Sequence, residues 1–259
     1  MSGILGRSFK VMEYLAAHPD GQPMSVVAGE LDMPLSATHR LLAELIQHGY
    51  VRQHPRLGQY MLTFKLVSLG LSYLTHSGVV DLAQPLLDHL ADESGELVRM
   101  AIVDGDELTF VAKAQGARSG LRYDPDMGLS VNLACSAAGH AWLATMGDKE
   151  ALALAARKGF GKPGDFGRNA PRNDKQLLSY LRATRKRGFS LIKEVFAPGM
   201  GSVSAAVRVA SGEVIGVVTI AGPLVRFSEE RMLANGQSLL VTARDVAQAS
   251  GSSAFFKRA

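Results

Sequence analysis

Cysteine is almost absent from this sequence. Cys135 is the only one, so no disulfide can form within the chain and a cysteine-built metal cluster is not expected. The histidines are no better arranged for a metal. His18, His39, His48, His54, His76, His89 and His140 stand singly, with no His-x-x-x-His pair, so neither a catalytic metal nor another cofactor is expected. Long apolar runs are missing too. Ala151–Ala156 and Val214–Ala221 fall far short of the ~20 residues a membrane-spanning helix needs. Met1-Ser2-Gly3 leads directly into an amphipathic pattern without the features of a secretory signal. Together these absences set the expectation of a cytoplasmic protein with no membrane partner. No internal repeat of fixed period is present.

Hydrophobic residues at 47% and charged residues at 20% describe a chain able to bury a core, and 259 residues leave room for two domains. The net charge of +4 is compatible with a nucleic-acid partner without establishing one. Its placement is informative. Residues 1–65 carry six Lys/Arg against five Asp/Glu, whereas 157–187 carry ten against Asp165 and Asp174. A solvated loop and helix face accounts for that second stretch.

Order along the chain says more than charge. Val11, Met12, Leu15 and Ala16 recur at helical spacing until His18-Pro19-Asp20-Gly21 stops them. A short helix follows over Ser25–Leu31, with Ser25 as its expected N-cap, then a break at Asp32-Met33-Pro34. A third helix is predicted over about Ser36–His48, with Leu41, Leu42, Leu45 and Ile46 inward and Gly49 at its end. Val51–Pro55 and Gln59–Leu62 then flank Arg56-Leu57-Gly58 as a β-hairpin would. Three helices and a hairpin in this order describe a winged helix-turn-helix. The outer face of its third helix starts with Ser36, Ala37, His39 and Arg40, small or polar groups that suit a phosphate or a base edge. Arg52, Arg56 and Gln59 on the hairpin suit the flanking backbone or minor groove. A small helical module that packs on a partner protein is the competing account of the same pattern.

Residues 64–93 read as helical throughout, with a break or kink at Gly78 and Pro85. Beyond them the texture is α+β. Glu96–Val103 and Glu107–Ala114 flank the turn Asp104-Gly105-Asp106, and a loop follows around Asp124-Pro125-Asp126. Ser136 starts a helix carrying Trp142, and further helices are predicted over Lys149–Lys158 and Asp174–Arg187. Strands over Val203–Val209 and Val214–Ala221 precede a last helix from Ser228 to Ala249, after which the tail is expected to fray. The expected division is 1–65, a helical linker 66–90, and a second domain 91–250.

The segments Leu31–Leu42, Gly58–Leu62, Asn132–Ala144, Gly188–Leu191 and Val217–Pro223 resemble, in this order and spacing, the IclR family of bacterial transcriptional regulators. The resemblance covers nearly the whole chain. It implies an α+β fold: an all-α winged helix-turn-helix with a hairpin wing, a linker helix, and a GAF-like effector domain with an antiparallel sheet. It implies operator DNA and a small organic effector, a carboxylate or an aromatic acid, as partners, and assembly as a homodimer or homotetramer. It places the effector at Cys135, Ser136, Ala137, Ala138, Glu194, Ser202, Thr219 and Ala221, with backbone amides at the helix start receiving an anion. This chain departs from the family at Ser202, where a cysteine is common, and at Thr219 and Ala221, where serines pair. It departs again at His140 and at Ala37, where lysine and threonine are usual. The lost hydroxyl suggests a less polar effector.

An enzyme acting on a small carboxylate is the alternative. Cys135 precedes a helix start, which can lower a thiol pKa, and His140 is near in sequence. No carboxylate is placed to orient the pair, so catalysis is not the expected role. Gly159–Gly164 lacks the Gly-Lys-Ser/Thr ending of a phosphate loop and reads as a surface loop. Met100 and Tyr123 are read as core or pocket residues.

Overall fold

A computed structural model of the chain describes residues 3–125, 130–162 and 164–250. Asp126 and Pro163 of two expected loops, and the tail beyond Ser250, lie outside them. The chain divides into two compact units, Met1–His76 and Ser77–Ala259.

The first unit begins with helices α1 (Ile4–Ala16), α2 (Met24–Glu30) and α3 (Leu35–Gln47). The hairpin β1 (Val51–Gln53) and β2 (Tyr60–Leu62) follows, and then helix α4 (Lys65–Ser77). Its core is one cluster of Val11, Leu15, Val27, Leu42, Leu45, Val51 and Tyr60. Helix α1 reaches back to Ile4, further than apolar periodicity indicates, because Ile4 and Leu5 are exposed. Ser25 is not the cap of α2. The helix starts at Met24 behind Pro23, just as α3 starts at Leu35 behind Pro34. A proline at either entrance sacrifices nothing, since first-turn amides have no partner within the helix. The inner stripe of α3 is Thr38, Leu41, Leu42 and Leu45; Ile46 stands outside it, 39% exposed. Thr38 is buried at no polar cost because its hydroxyl donates to the Pro34 carbonyl at 3.1 Å. The hairpin is tied to the segment between α1 and α2, and α4 to the end of α3. Gln22 and Tyr60 exchange backbone hydrogen bonds of 2.9 and 2.8 Å. Lys65 donates to the His48 carbonyl at 2.7 Å, where the negative end of α3 favours a cation.

The second unit opens with α5 (Val79–Ser94). The helical stretch expected over 64–93 is therefore two helices, parted at Gly78, whose φ of 65° is costly for any other residue. Pro85 lies inside α5 without ending it. Strands β3 (Leu97–Asp104) and β4 (Glu107–Gln115) form the expected hairpin. Helices α6 (Ala137–Leu143), α7 (Asp148–Lys158) and α8 (Asp174–Arg187) come next. Strands β5 (Ser190–Lys193), β6 (Met200–Arg208) and β7 (Val214–Pro223) lead to α9 (Glu229–Ala234) and α10 (Gly236–Ser250). Ser228 caps α9 as expected, accepting from the Arg231 amide at 3.3 Å, but the last helix is broken at Asn235.

The strands β3 to β7 join one antiparallel sheet in the order β4-β3-β7-β6-β5. Side chains alternate across it. Val98, Met100, Val203, Ala205, Val218 and Ile220 face α5 and α10, with Leu87, Leu90, Val246 and Ala247. Ala101, Phe110, Ile192 and Val217 face the layer of α6 and α8, with Trp142, Leu177 and Leu181. The sheet is thus buried on both faces, which explains why β3 and β7 read as nearly continuous apolar runs. An ion pair with a buried carboxylate fastens the ends of two inner strands: Arg226, just past β7, donates to both oxygens of Glu96, just before β3, at 2.8 and 2.9 Å. Among the described residues no helix is long and apolar enough to cross a membrane.

Candidate functional site

Two places carry the residues singled out in the sequence, one in each unit. On α3, the buried stripe turns Ser36, His39 and Arg40 to solvent. Neither His39 nor Arg40 makes a hydrogen bond or ion pair within the fold among the described residues. Leu35 is also exposed, at 54%. Ala37 is half-buried beside Ile4, Arg7 and Leu41, so it faces α1 more than the open side. Arg52 and Arg56 are exposed on the hairpin, and Gln59 is half-buried. The tip is held by His54, whose Nδ1 accepts from the amides of Arg56 and Leu57, each at 3.2 Å. That turn carries Arg56 on a fixed backbone while its side chain stays free to reach a phosphate.

In the second unit a cavity of about 130 Å³ lies between α6 and the sheet. Ser136, Ala137 and Ala138 line it from the start of α6, and Ser202, Thr219 and Ala221 from adjacent strands. Strand register brings the latter together: Ser202 pairs with Ala221, and Thr219 with both Ser204 and Arg99. The Ser136 side chain caps α6 by accepting from the Gly139 amide at 3.0 Å. Gly139 lets the preceding loop press onto the helix, since a Cβ there would stand 2.2 Å from the Leu133 carbonyl oxygen. Two hydroxyls of the lining are already engaged. Ser202 donates to the Ile220 carbonyl at 3.0 Å, and Thr219 shares a 2.7 Å hydrogen bond with Ser204.

Cys135 and Glu194 do not line the cavity. Cys135 is buried, with its thiol 3.3 Å from the Phe160 carbonyl. Burial pushes it up to about 11, the reverse of the lowering that a helix start alone suggests, because a thiolate there would have no water. His140 is fully buried; its Nε2 lies 2.6 Å from the Ala134 carbonyl, and burial lowers it to about 4. Thiol and imidazole thus serve different carbonyls and form no activated pair. Glu194 accepts from the Gly199 amide at 3.1 Å and pairs with Arg168, which together hold its carboxyl below the usual range.

The lining also contains a residue that sequence reading passed over. Arg99 stands in β3, 8% exposed, with its guanidinium 3.7 Å over the Phe110 ring. Burial pulls it below its ordinary value, while Tyr123 and Asp124 act in the opposite sense. The signal available was one charge inside Leu97–Val103, an otherwise apolar strand. Tyr123 lines the cavity, as does Phe110, whereas Met100 belongs to the opposite face of the sheet.

Comparison with known proteins identifies the family. The pattern of the IclR helix-turn-helix domain matches residues 5–55, and that of the bacterial transcriptional regulator IclR C-terminal matches residues 71–248. The HTH-type transcriptional repressor AllR of Escherichia coli K12 is 28% identical over 247 residues, 95% of this chain and 90% of that protein. A transcriptional regulator of Rhodococcus sp. RHA1 superposes with a TM-score of 0.80 at 25% identity, covering 97% of this chain and 99% of that one. An IclR homologue of Microbacterium hydrocarbonoxydans, complexed with 4-hydroxybenzoate, superposes with a TM-score of 0.77 at 19% identity over 97% and 100% of the two chains. The chain belongs to the IclR family: it is a DNA-binding transcriptional regulator with a C-terminal effector domain.

Proposed function

We propose that Ser36, His39 and Arg40 enter the major groove of an operator, with Ala37 close to the backbone and Arg52, Arg56 and Gln59 on flanking phosphates. The supporting observation is that His39 and Arg40 are exposed on α3 and bond to nothing in the fold among the described residues. A helix held from behind by Leu41, Leu42 and Leu45 presents them as a rigid unit. Residues 1–65 form the DNA-binding part in this reading, 66–90 the linker and 91–250 the effector domain. The exposed Ile4, Leu5 and Phe9 of α1, with Phe64 and with Val67 and Leu71 of α4, suit burial against a second copy in a homodimer or homotetramer. DNA as the ligand implies a cytoplasmic address.

The cavity beside Ser136–Ala138 receives a small organic acid, in keeping with the 4-hydroxybenzoate of the Microbacterium neighbour. Its arrival shifts the population between arrangements of paired DNA-binding domains, so that operator half-sites fit or fail. Control of DNA binding, and no turnover of the ligand, is the role we assign to this domain.

Arg40→Ala tests the reading. Binding to DNA from upstream of the protein's own gene, measured by fluorescence anisotropy, weakens by about 10- to 100-fold. Effector affinity is unchanged, because Arg40 lies outside the second unit. Unaltered DNA affinity in this variant overturns the assignment.

A further inference from the structure

A buried charge without an ion-pair partner is expensive, and among the described residues Arg99 is such a charge. It is 8% exposed and forms no ion pair among the described residues, and its Nε has no hydrogen-bond partner. Asp124, the acid that acts on it at a distance, is engaged with Lys113 at 2.6 Å. Phe110 covers one face of the guanidinium at 3.7 Å and the Tyr123 ring lies 5.9 Å from it, so the unpartnered Nε side is the part left for a ligand. Among the described residues of the lining, Arg99 carries the one formal charge.

The rest of the lining constrains the body of the ligand. Phe110, Val131, Ile192, Phe196 and Met200 supply apolar wall, and the hydroxyls of Ser202 and Thr219 are already bonded internally. Apolar cavities of about 150 Å³ take up benzene. The present one, at about 130 Å³, is on that scale of a single ring.

We propose that Arg99 is the charge partner of the effector, and that the effector is an arenemonocarboxylate whose carboxylate meets the guanidinium edge while its ring fills the apolar wall. This rests on the reading of the cavity as the effector site. A guanidinium offers a planar, paired set of N–H donors that fits a carboxylate. A dicarboxylate would leave its second charge among apolar side chains with no cation to meet it, and a neutral amide would leave Arg99 uncompensated.

Calorimetry on the full chain with benzoate, benzamide, phthalate and pyruvate tests it. Benzoate binds more tightly than the other three, and Arg99→Met weakens benzoate by about 10- to 100-fold, the range for hydrogen bonds to charged groups. The same variant does not weaken benzamide, because it removes the charge that a neutral amide leaves uncompensated, and Arg99→Lys regains part of the benzoate loss. Arg99→Gln, which is shorter but keeps a hydrogen-bond donor without the charge, repeats the loss should the methionine variant fail to fold. The proposal is overturned when the uncharged variants bind benzoate as the parent does. Equal affinity for benzamide and benzoate, or no binding of benzoate, also overturns it. Either failure leaves the operator assignment standing so long as Arg40→Ala still loses DNA affinity, which separates the two.

Discussion

The stability of the second unit depends on keeping His140 neutral. The ring is fully buried in α6, and its Nε2 lies 2.6 Å from the Ala134 carbonyl oxygen. A carbonyl only accepts, so Nε2 carries the proton and Nδ1 is bare. Nδ1 has no partner among the described residues, and protonating it would create a buried cation with no acceptor. Burial accordingly lowers the pKa from 6.5 to about 4, the carbonyl contact opposing only in part. Above 6.5 the ring is neutral in folded and unfolded chains alike, and pH has no effect through this group. As pH falls from 6.5 towards 4 the unfolded chain takes up a proton that the folded chain refuses, so stability is lost across that window. The full loss is about 3 kcal/mol, at about 1.4 kcal/mol per unit of pKa. Urea unfolding followed by fluorescence suits the test, because Trp142 is the only tryptophan and lies buried in the same helix. His140→Gln retains an N–H donor for Ala134 and removes the titration. The parent is expected to lose about 3 kcal/mol more than this variant on passing from about pH 7 to pH 4. Parallel pH profiles for the two proteins would refute the reasoning.

Two further outcomes follow from buried polar groups. With its thiol at about 11, Cys135 should react with a disulfide reagent at pH 8 at least ~100-fold more slowly in the native protein than after guanidinium unfolding, and equal rates would contradict its burial. Arg226→Met strands Glu96, which is 1% exposed, and should cost about 2–4 kcal/mol in urea unfolding. Adding Glu96→Gln should recover most of that loss, and a single variant as stable as the parent would show that the pair does not carry the load assigned to it.

Much of the fold is local and was readable. The runs of α7 and α8, the β3–β4 turn, and the caps at Ser136 and Ser228 depend on spacing and capping chemistry within a few residues. The inner face of α3 was readable for Leu41, Leu42 and Leu45 and misread at Ile46, because periodicity fixes a stripe but not how wide the neighbouring helices make it. Strand β5 escaped notice as a strand. At four residues it has too little pattern of its own, and it exists because β6 offers an edge. Pro23 and Pro34, at helix entrances, also set the starts of α2 and α3 one residue earlier than the expected ranges from Ser25 and from about Ser36.

The cavity beside α6 divides in the same way. Ser136, Ala137 and Ala138 are adjacent in the chain, and family resemblance pointed to them together with Ser202, Thr219 and Ala221. By itself the amino-acid sequence determined the order of elements, the exposed polar face of α3, and the absence of cysteine pairs and membrane-length runs. Tertiary structure alone decided that Arg99 stands beside Thr219 and against the Phe110 ring, that Cys135 and Glu194 face elsewhere, and that Glu96 meets Arg226 across the chain. The physical reason is that strand register and layer packing join residues far apart in sequence, and the burial that follows gives a charge, a thiol or an imidazole its chemistry.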